Sequence, residues 1–323
     1  MKAVNAAGIV LVALLSHGCV REEIAVPAQP RYAVECVARV GPTYDHQLWF
    51  DLSSYSVVAQ NSKMDWDLAF ESAPEGWRVR LNQARLMRAH RAWEDAIGQP
   101  GDTAGFGNTW RVDLPSGRPD SVAIPDWRND QPVFILNLGY GTAGQMLGLR
   151  KLQITSVDAS AYQFTLAHMD GSNVQHHSVQ KDPARAYTHF SISNGTVVIA
   201  PPLGSYDIVF TQYTEQFYYP DPYQSYLVTG TVNGYSGARV AQVQGDFASV
   251  SLNDTLLHPF STDEDVIGYD WKDYSFDTGA YEVDAGQVYI VQDRDGLFYK
   301  LHFTDYYDEQ GMRGSPRFAV MPL

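Results

Sequence analysis

Short runs in which apolar and polar residues alternate cover most of the chain, and they predict β-strands. In the stretch "WDLAF", Trp66 and Phe70 fall on one face of an extended strand and Asp67 falls on the other. Similar runs recur along the chain, cut by Gly, Pro, Asn and Asp. Helical spacing of apolar residues is found in residues 83–97, which are predicted to form a helix. The pattern therefore predicts an all-β protein with minor helix.

The sequence contains an internal repeat of this pattern. Residues 48–70 align without a gap with residues 188–210, and Asp67 falls on Asp207. A second pair of hairpin-like segments follows in the same order in both halves, and in each the returning strand begins with Lys-Leu. Two matched segments in the same order predict a tandem duplication of one β domain. The predicted copies are residues 31–170 and 187–323, and residues 171–186 are the predicted linker.

The first residues predict export. Lys2 precedes an apolar run that is too short to span a membrane, so residues 1–18 are interpreted as a signal peptide. The position of Cys19 resembles that of the acylated cysteine of bacterial lipoproteins, although a plain secretory peptide is the alternative. Residues 19–30 are then a lipidated tether, whose charged "REE" looks like the export tag of Bacteroidetes surface lipoproteins. The predicted location is the outer membrane, with exposure at the cell surface.

Composition narrows the range of partners. The 323 residues carry a formal net charge of -14, which excludes nucleic acid and leaves the lipid as the only predicted membrane contact. The 20 tyrosines outnumber the 14 phenylalanines, as suits strands that touch ligands. Once Cys19 is lipidated, Cys36 is left without a partner for an intrachain disulfide.

Catalytic signatures are missing from the sequence. It contains no G-x-S-x-G elbow, H-E-x-x-H helix or P-loop, so the protein is predicted not to be an enzyme. The recurring Asp67 and Asp207 are expected to accept hydrogen bonds from neighbouring loop backbone rather than to act as an acid–base pair. The acidic run at residues 261–273 is expected to be a solvated loop, with a calcium site as the alternative.

The matched segments resemble a known family. "LWFDLSSYSVVAQNSKMDWDLAFES" is similar to the opening of HmuY-family lipoproteins, and "SYDIVFTQYTEQF" with "SYLVTGTVNGY" to the corresponding run of their longer, two-copy members. "VYIVQDRDGLFYKLHFTDYYDEQGMRGSPRFAV" resembles the family's closing hairpin. The resemblance implies a β-rich surface lipoprotein of Bacteroidetes. Its relatives capture haem between two axial His or Met side chains and deliver it to a TonB-dependent outer-membrane receptor.

Several residues could serve such a ligand, since haem iron accepts His, Met, Cys or Tyr. Neither copy contains a clear pair of histidines, so surface or packing roles stay open for each residue. Residues 211–287 are preferred as the site because they combine a histidine, which is the candidate iron ligand, with many tyrosines. The candidate ligand-binding residues are Met87, His90, Tyr218, Tyr219, Tyr235 and His258.

Two functions from different classes follow. The first is a cell-surface binding lipoprotein that captures haem, or a similar flat ligand, for a TonB-dependent transporter. The alternative is a non-catalytic accessory lipoprotein that docks on an outer-membrane transporter without binding haem. A third hypothesis, recognition of a glycan or peptide by exposed tyrosines, also stays open.

Overall fold

The computed structural model describes residues 32–92, 96–107, 109–219 and 223–323. The predicted signal peptide and tether, including Cys19, lie outside the described residues. Within them, no helix is long and apolar enough to cross a membrane. The same residues form antiparallel strands and two short 3-10 helices, Gln83–Arg85 and Leu252–Leu256, so the predicted all-β class is confirmed.

The strands follow the chain in this order: β1 (Val34–Val37), β2 (His46–Asp51), β3 (Ser56–Ser62), β4 (Leu68–Glu71), β5 (Val79–Leu81), β6 (Arg88–Ala92), β7 (Val133–Asn137), β8 (Leu149–Val157), β9 (Ala161–Ala167), β10 (Gln175–Gln180), β11 (Tyr187–Ser191), β12 (Gly195–Val197), β13 (Ile208–Phe217), β14 (Gln224–Val232), β15 (Arg239–Gln244), β16 (Lys272–Ser275), β17 (Ala280–Val283), β18 (Gln287–Gln292), β19 (Phe298–Tyr307) and β20 (Arg313–Pro322).

The predicted helix at residues 83–97 is wrong. Asn82 caps a single 3-10 turn by accepting the backbone N–H of Ala84, and Leu86 then adopts a left-handed φ of 59° that ends the turn. The chain continues as β6, which pairs with β7 along its whole length. Strand pairing in the folded protein therefore overrides the local helical spacing.

Strand pairing crosses between the two halves of the chain. Two five-stranded sheets run in the orders β1-β20-β19-β18-β15 and β10-β9-β8-β7-β6, and two four-stranded sheets in the orders β12-β11-β4-β5 and β14-β13-β2-β3. The hairpin β2–β3 pairs with β13 of the second half, and β11 pairs with β4 of the first. The opening hairpin of each half is thus part of the other half's sheet.

The hydrophobic cores follow this exchange. Phe50 packs with ring centroids 5.1 Å from Phe318 and 6.1 Å from Phe210, inside a core made mainly of residues 208–320. Phe190 lies 5.1 Å from Phe164 in a core made mainly of residues 68–166. Each core therefore contains residues from both predicted copies, and the predicted linker contains β10. The duplication itself stays a prediction.

Two lysines fill matching places in the halves. Nζ of Lys151, near the start of β8, donates to two carbonyls of residues 96–99 at 3.0 and 2.8 Å. Nζ of Lys300, near the start of β19, donates to two carbonyls of residues 247–250, both at 2.7 Å. Each charge is buried at the cost of desolvation that these hydrogen bonds offset. The repeated Lys-Leu pair of the sequence thus ties a loop to a sheet in each half.

The two repeated aspartates hold the exchanged hairpins. Asp67 Oδ2 accepts the N–H of Ile192 at 2.7 Å, and Asp207 Oδ2 accepts the N–H of Leu52 at 2.8 Å. This confirms the expectation that both accept backbone hydrogen bonds. The two aspartates differ in whether a cation balances their charge. Asp67 forms an ion pair of 2.7 Å with buried Arg85. No ion pair with Asp207 is found in the described part of the chain, and burial raises its pKa to about 7.

The free energy of unfolding of Asp207→Asn, minus that of the unchanged protein, is expected to increase as the pH rises, because the unchanged protein loses stability. The folded-state pKa of about 7 exceeds the ordinary value of 3.8, so the folded state binds this proton more tightly than the unfolded state. The free energy of unfolding therefore falls between about pH 4 and pH 7. Asparagine still accepts the Leu52 N–H but does not titrate. Urea unfolding should show a relative gain of up to about 4 kcal/mol between these limits.

Asp67→Asn is the matched control. It removes the charge that pairs with buried Arg85 and should destabilise the protein by about 3–5 kcal/mol at every pH in that range. If Asp207→Asn and the unchanged protein showed parallel pH profiles, Asp207 would not be the titrating group.

Candidate functional site

A cavity of about 100 Å³ lies where the exchanged hairpins meet. Its walls come from β2, β4, β11 and β13, from Arg80 of β5, and from the loops that carry Tyr235 and Glu264. Because β2 and β11 enter from opposite halves, both halves build this space.

Two edge-to-face ring pairs form its aromatic walls. Trp49 and Tyr206 have centroids 4.9 Å apart at 84°, and Trp66 and His189 have centroids 4.8 Å apart at 83°. Trp49 aligns with His189 and Trp66 with Tyr206 in the repeated segments, so the two pairs are counterparts. Burial lowers the pKa of His189 to about 3, so its imidazole is neutral at physiological pH.

The opposite wall is polar. Nε of Arg80 lies 3.3 Å from Asp113 Oδ2, and its guanidinium carbon lies 5.3 Å from the centre of the Tyr235 ring. Tyr235 also packs 4.7 Å from Tyr187, and its backbone N–H donates to Glu264 at 2.8 Å. Burial raises the pKa of Glu264 to about 7. Of the sequence candidates, Tyr235 is thus the one that lines the cavity.

His90 belongs to a separate aromatic group near the surface, which we call the His90 cluster: His90, Phe106 and Trp110. The imidazole stacks on Phe106 with centroids 3.6 Å apart at 20°, and Trp110 lies 6.1 Å away at 62°. Thr109 Oγ1 lies 2.9 Å from His90 Nδ1 and fixes the ring's orientation. Arg88 is two residues before His90 on β6, and alternation places both on one face.

Tyr218 and Tyr219 lie at the far end of β13 and β14, in what we call the tyrosine hairpin: Phe217, Tyr218, Tyr219, Tyr223 and Tyr226. Tyr219 is 89 % exposed and Tyr218 is 61 % exposed. Glu215 pairs with Tyr226 across the hairpin. Burial, and to a lesser degree Asp265 and Asp270, raises the pKa of Glu215 above its usual value. The hairpin therefore presents exposed rings beside a group of carboxylates.

The remaining candidates lie elsewhere. Met87 is 1 % exposed in the core of the β6–β10 sheet. His258 follows the 3-10 helix Leu252–Leu256 and is half-buried. No hydrogen bond or ring contact joins His258 to Tyr218, Tyr219 or Tyr235 in the residues that the structure describes. The sequence candidates thus occupy distinct places, and their roles in binding stay predictions.

The match to known proteins fits this β architecture. A family model described as HmuY protein matches residues 43–319 of the chain. The chain belongs to the HmuY family. No curated protein matches it.

Three solved structures share distant similarity with this HmuY-family protein. Apo PinO from Porphyromonas gingivitis has 8 % identity and a TM-score of 0.31, over 90 % of this chain and 97 % of that one. A provisionally named lipoprotein from Bacteroides fragilis has 11 % identity and a TM-score of 0.23, over 53 % and 88 %. A provisionally named HmuY-like haem-binding protein from Bacteroides vulgatus has 12 % identity and a TM-score of 0.21, over 49 % and 84 %. All three scores lie below 0.5, so family membership rests on the sequence match.

Sequence reasoning missed two parts of the site in this HmuY-family protein. The prediction that residues 261–273 form a solvated loop is wrong for part of the segment. Glu264 is 8 % exposed there, and Trp271 is fully buried. The apolar Ile267 between them is a signal that could have shown this. Arg80 was missed because an arginine in a three-residue strand carries no motif. In the described residues, no group of three or more His, Cys, Asp or Glu side chains could hold a metal ion.

One glycine-rich stretch has a misleading spacing. Residues 139–144, "GYGTAG", match G-x-G-x-x-G, the fingerprint of dinucleotide-binding turns. In the structure they form the turn between antiparallel β7 and β8. The fingerprint requires a strand followed by a helix N-terminus, so this turn offers no pyrophosphate site.

Gly234→Ala is expected to destabilise the protein by about 2 kcal/mol or more, because the cavity wall has no room for a Cβ. Gly234 has a φ of +61°, and a Cβ there would lie 2.3 Å from Val209 Cγ2 and 3.3 Å from the Trp49 ring. Gly195→Ala is the control, since Gly195 has a φ of +79° and no atom within 4 Å of its added Cβ. It should lose only the backbone term of roughly 1–2 kcal/mol. Equal losses in urea unfolding would show that close packing at Gly234 is unimportant.

Proposed function

We propose that this HmuY-family protein is a non-catalytic binding lipoprotein that is anchored in the outer membrane through Cys19 and captures haem for a TonB-dependent receptor. The observation that carries the proposal is the His90 cluster, which sets an imidazole among flat rings on an arginine-bearing strand. Membership of the HmuY family supports the same class of function.

The ring geometry suits a flat ligand. Imidazole is a common haem-iron ligand. A macrocycle bound through a ring nitrogen lies roughly perpendicular to the imidazole plane. Trp110, inclined 62° to His90, is closer to that orientation than Phe106, inclined 20°. Trp110 is therefore the proposed stacking partner, and Phe106 supports the imidazole from the side.

Charge favours this cluster over the tyrosine hairpin. Haem carries carboxylate side groups, which arginine binds well. Arg88 shares the face of His90, whereas the tyrosine hairpin has Glu215 opposite Tyr226 and two further aspartates nearby. We therefore propose that haem binds in the first half of the chain, at His90, and not within residues 211–287.

Size excludes the central cavity as the haem site. Pockets that enclose a drug-sized ligand hold roughly 300–1,000 Å³. The cavity between the hairpins holds about 100 Å³. We therefore place the proposed haem site at the partly exposed His90 cluster and not in the central cavity.

Haemin titration tests the proposal. The purified protein should give a saturable Soret shift at one equivalent, and His90→Ala should weaken binding by at least about tenfold and change the spectrum. His258→Ala is the matched control and should bind haemin as the unchanged protein does. Loss of binding in His258→Ala alone would move the site to the second half. A titration without any Soret shift, in ferric and ferrous states, would refute haem capture.

The tyrosine hairpin favours the second candidate function, docking on an outer-membrane transporter. The tyrosines of this hairpin are 61–89 % exposed, and a group of exposed aromatic residues is typical of an interaction surface. A partner with a basic rim would complement the nearby carboxylates. Tyr219→Ala should then weaken crosslinking to the transporter in cells without changing haemin binding. Unchanged crosslinking would argue against this role.

Cys19→Ser is expected to prevent membrane attachment, because the acylated cysteine is the proposed anchor. The variant should leave the membrane fraction or accumulate as precursor, and its circular dichroism should match that of the unchanged protein. A membrane fraction equal to that of the unchanged protein would refute lipidation at Cys19.

A further inference from the structure

In addition to Arg80 Nε, which faces Asp113, three buried polar atoms in residues that line the central cavity have no hydrogen-bond partner among the described residues. They are Arg80 Nη2, Tyr187 Oη and His189 Nδ1. The three residues are 2 %, 5 % and 7 % exposed. Buried polar groups are nearly always paired in folded proteins, so three such atoms around one space indicate a bound molecule.

The unpaired atoms are mostly donors. The guanidinium of Arg80 uses Nη1 on the carbonyl of Gly117 at 3.1 Å and faces Asp113 through Nε at 3.3 Å. Asp113 is already engaged by the N–H groups of Leu81 and Ala123, both at 2.7 Å. Nη2 of Arg80 and the hydroxyl of Tyr187 are left without a partner in residues that line the cavity. Two such donors suit the oxygens of a carboxylate.

The other lining residues and the volume of the cavity indicate the polarity and size of the rest of the ligand. Trp49, Trp66, Tyr206 and Val209 give it an apolar, largely aromatic lining. Its volume of about 100 Å³ is of the same order as the ~150 Å³ cavity that holds benzene in another protein. A short alkyl chain suits this volume, and a single ring is the upper limit of the proposed apolar body.

A second cavity adjoins the first. It holds about 350 Å³ and shares Tyr187 and Tyr235 with the inner one. Arg78 and Arg185 line it, each paired with an acidic residue. Because each guanidinium is paired, this space is close to electrically neutral, although the chain as a whole carries a net charge of -14.

We propose that the central cavity binds a small monocarboxylate, with its carboxylate on Arg80 and Tyr187 and its apolar body between Trp49, Trp66 and Tyr206. This site is separate from the proposed haem site, and neither proposal depends on the other. Benzoate and butyrate are the probes that match its size and chemistry.

Calorimetric titration of the full mature protein with benzoate tests the site. Saturable binding of one equivalent is expected, with butyrate binding more weakly and the neutral benzyl alcohol at least about tenfold more weakly. Tyr187→Phe keeps the ring against Tyr235 but removes the hydroxyl, so it should weaken benzoate binding by about tenfold or more. Tyr274→Phe makes the same change on an exposed residue outside the cavity and should leave the affinity unchanged.

Ala69→Leu is the second variant, which fills the cavity but keeps the side chains of Arg80, Tyr187 and His189. It should abolish benzoate binding while circular dichroism and haemin titration match the unchanged protein. The proposal is overturned if benzyl alcohol binds as tightly as benzoate, if Tyr187→Phe or Ala69→Leu binds benzoate normally, or if the unchanged protein gives no heat with millimolar benzoate. In the last case the cavity holds water only.

Discussion

Two antiparallel contacts, β2 on β13 and β11 on β4, hold the halves of the chain together, because each places the opening hairpin of one half in the sheet of the other. A buried aspartate secures each hairpin by accepting a backbone N–H just beyond the pairing strand. Phe50 and Phe190 are carried across with the hairpins and complete the opposite cores. Neither half therefore supplies a complete core from its own residues.

The central cavity is a consequence of this exchange. Where the two hairpins approach each other, two edge-to-face ring pairs form the aromatic walls of the space between them. The two halves differ in the charge around the repeated aspartate. Arg85 neutralises Asp67, whereas no basic residue forms an ion pair with Asp207 in the described residues. The matched framework thus keeps its strands but differs in the charges placed around them.

How far the sequence predicts this structure depends on the range of each interaction. Alternation along single strands and the repeated W-D-x-A-F pattern are local, and they give the β class and the backbone-accepting role of Asp67 and Asp207. Which strand pairs with which is not local, so the pairing of β2 with β13 could not be read from either copy alone. The same reason explains residues 83–97, where pairing with β7 decides the conformation. The burial of Glu264 has the same cause. Its carboxylate accepts the backbone N–H of Tyr235, a residue that is distant in sequence, whereas its acidic sequence neighbours suggest an exposed loop.

The local charge of each surface determines which kind of ligand it favours. A chain with a net charge of -14 repels anions on average, so an anionic ligand needs a place where guanidinium groups are concentrated. Each of the two proposed sites in the described structure contains an arginine: Arg88 lies on the strand of His90, and Arg80 lines the central cavity. The first is open and set among flat rings, so it suits a macrocycle; the second is enclosed and suits a small acid. The tyrosine hairpin has the opposite charge around it, and a basic protein partner is the ligand that its physical chemistry favours.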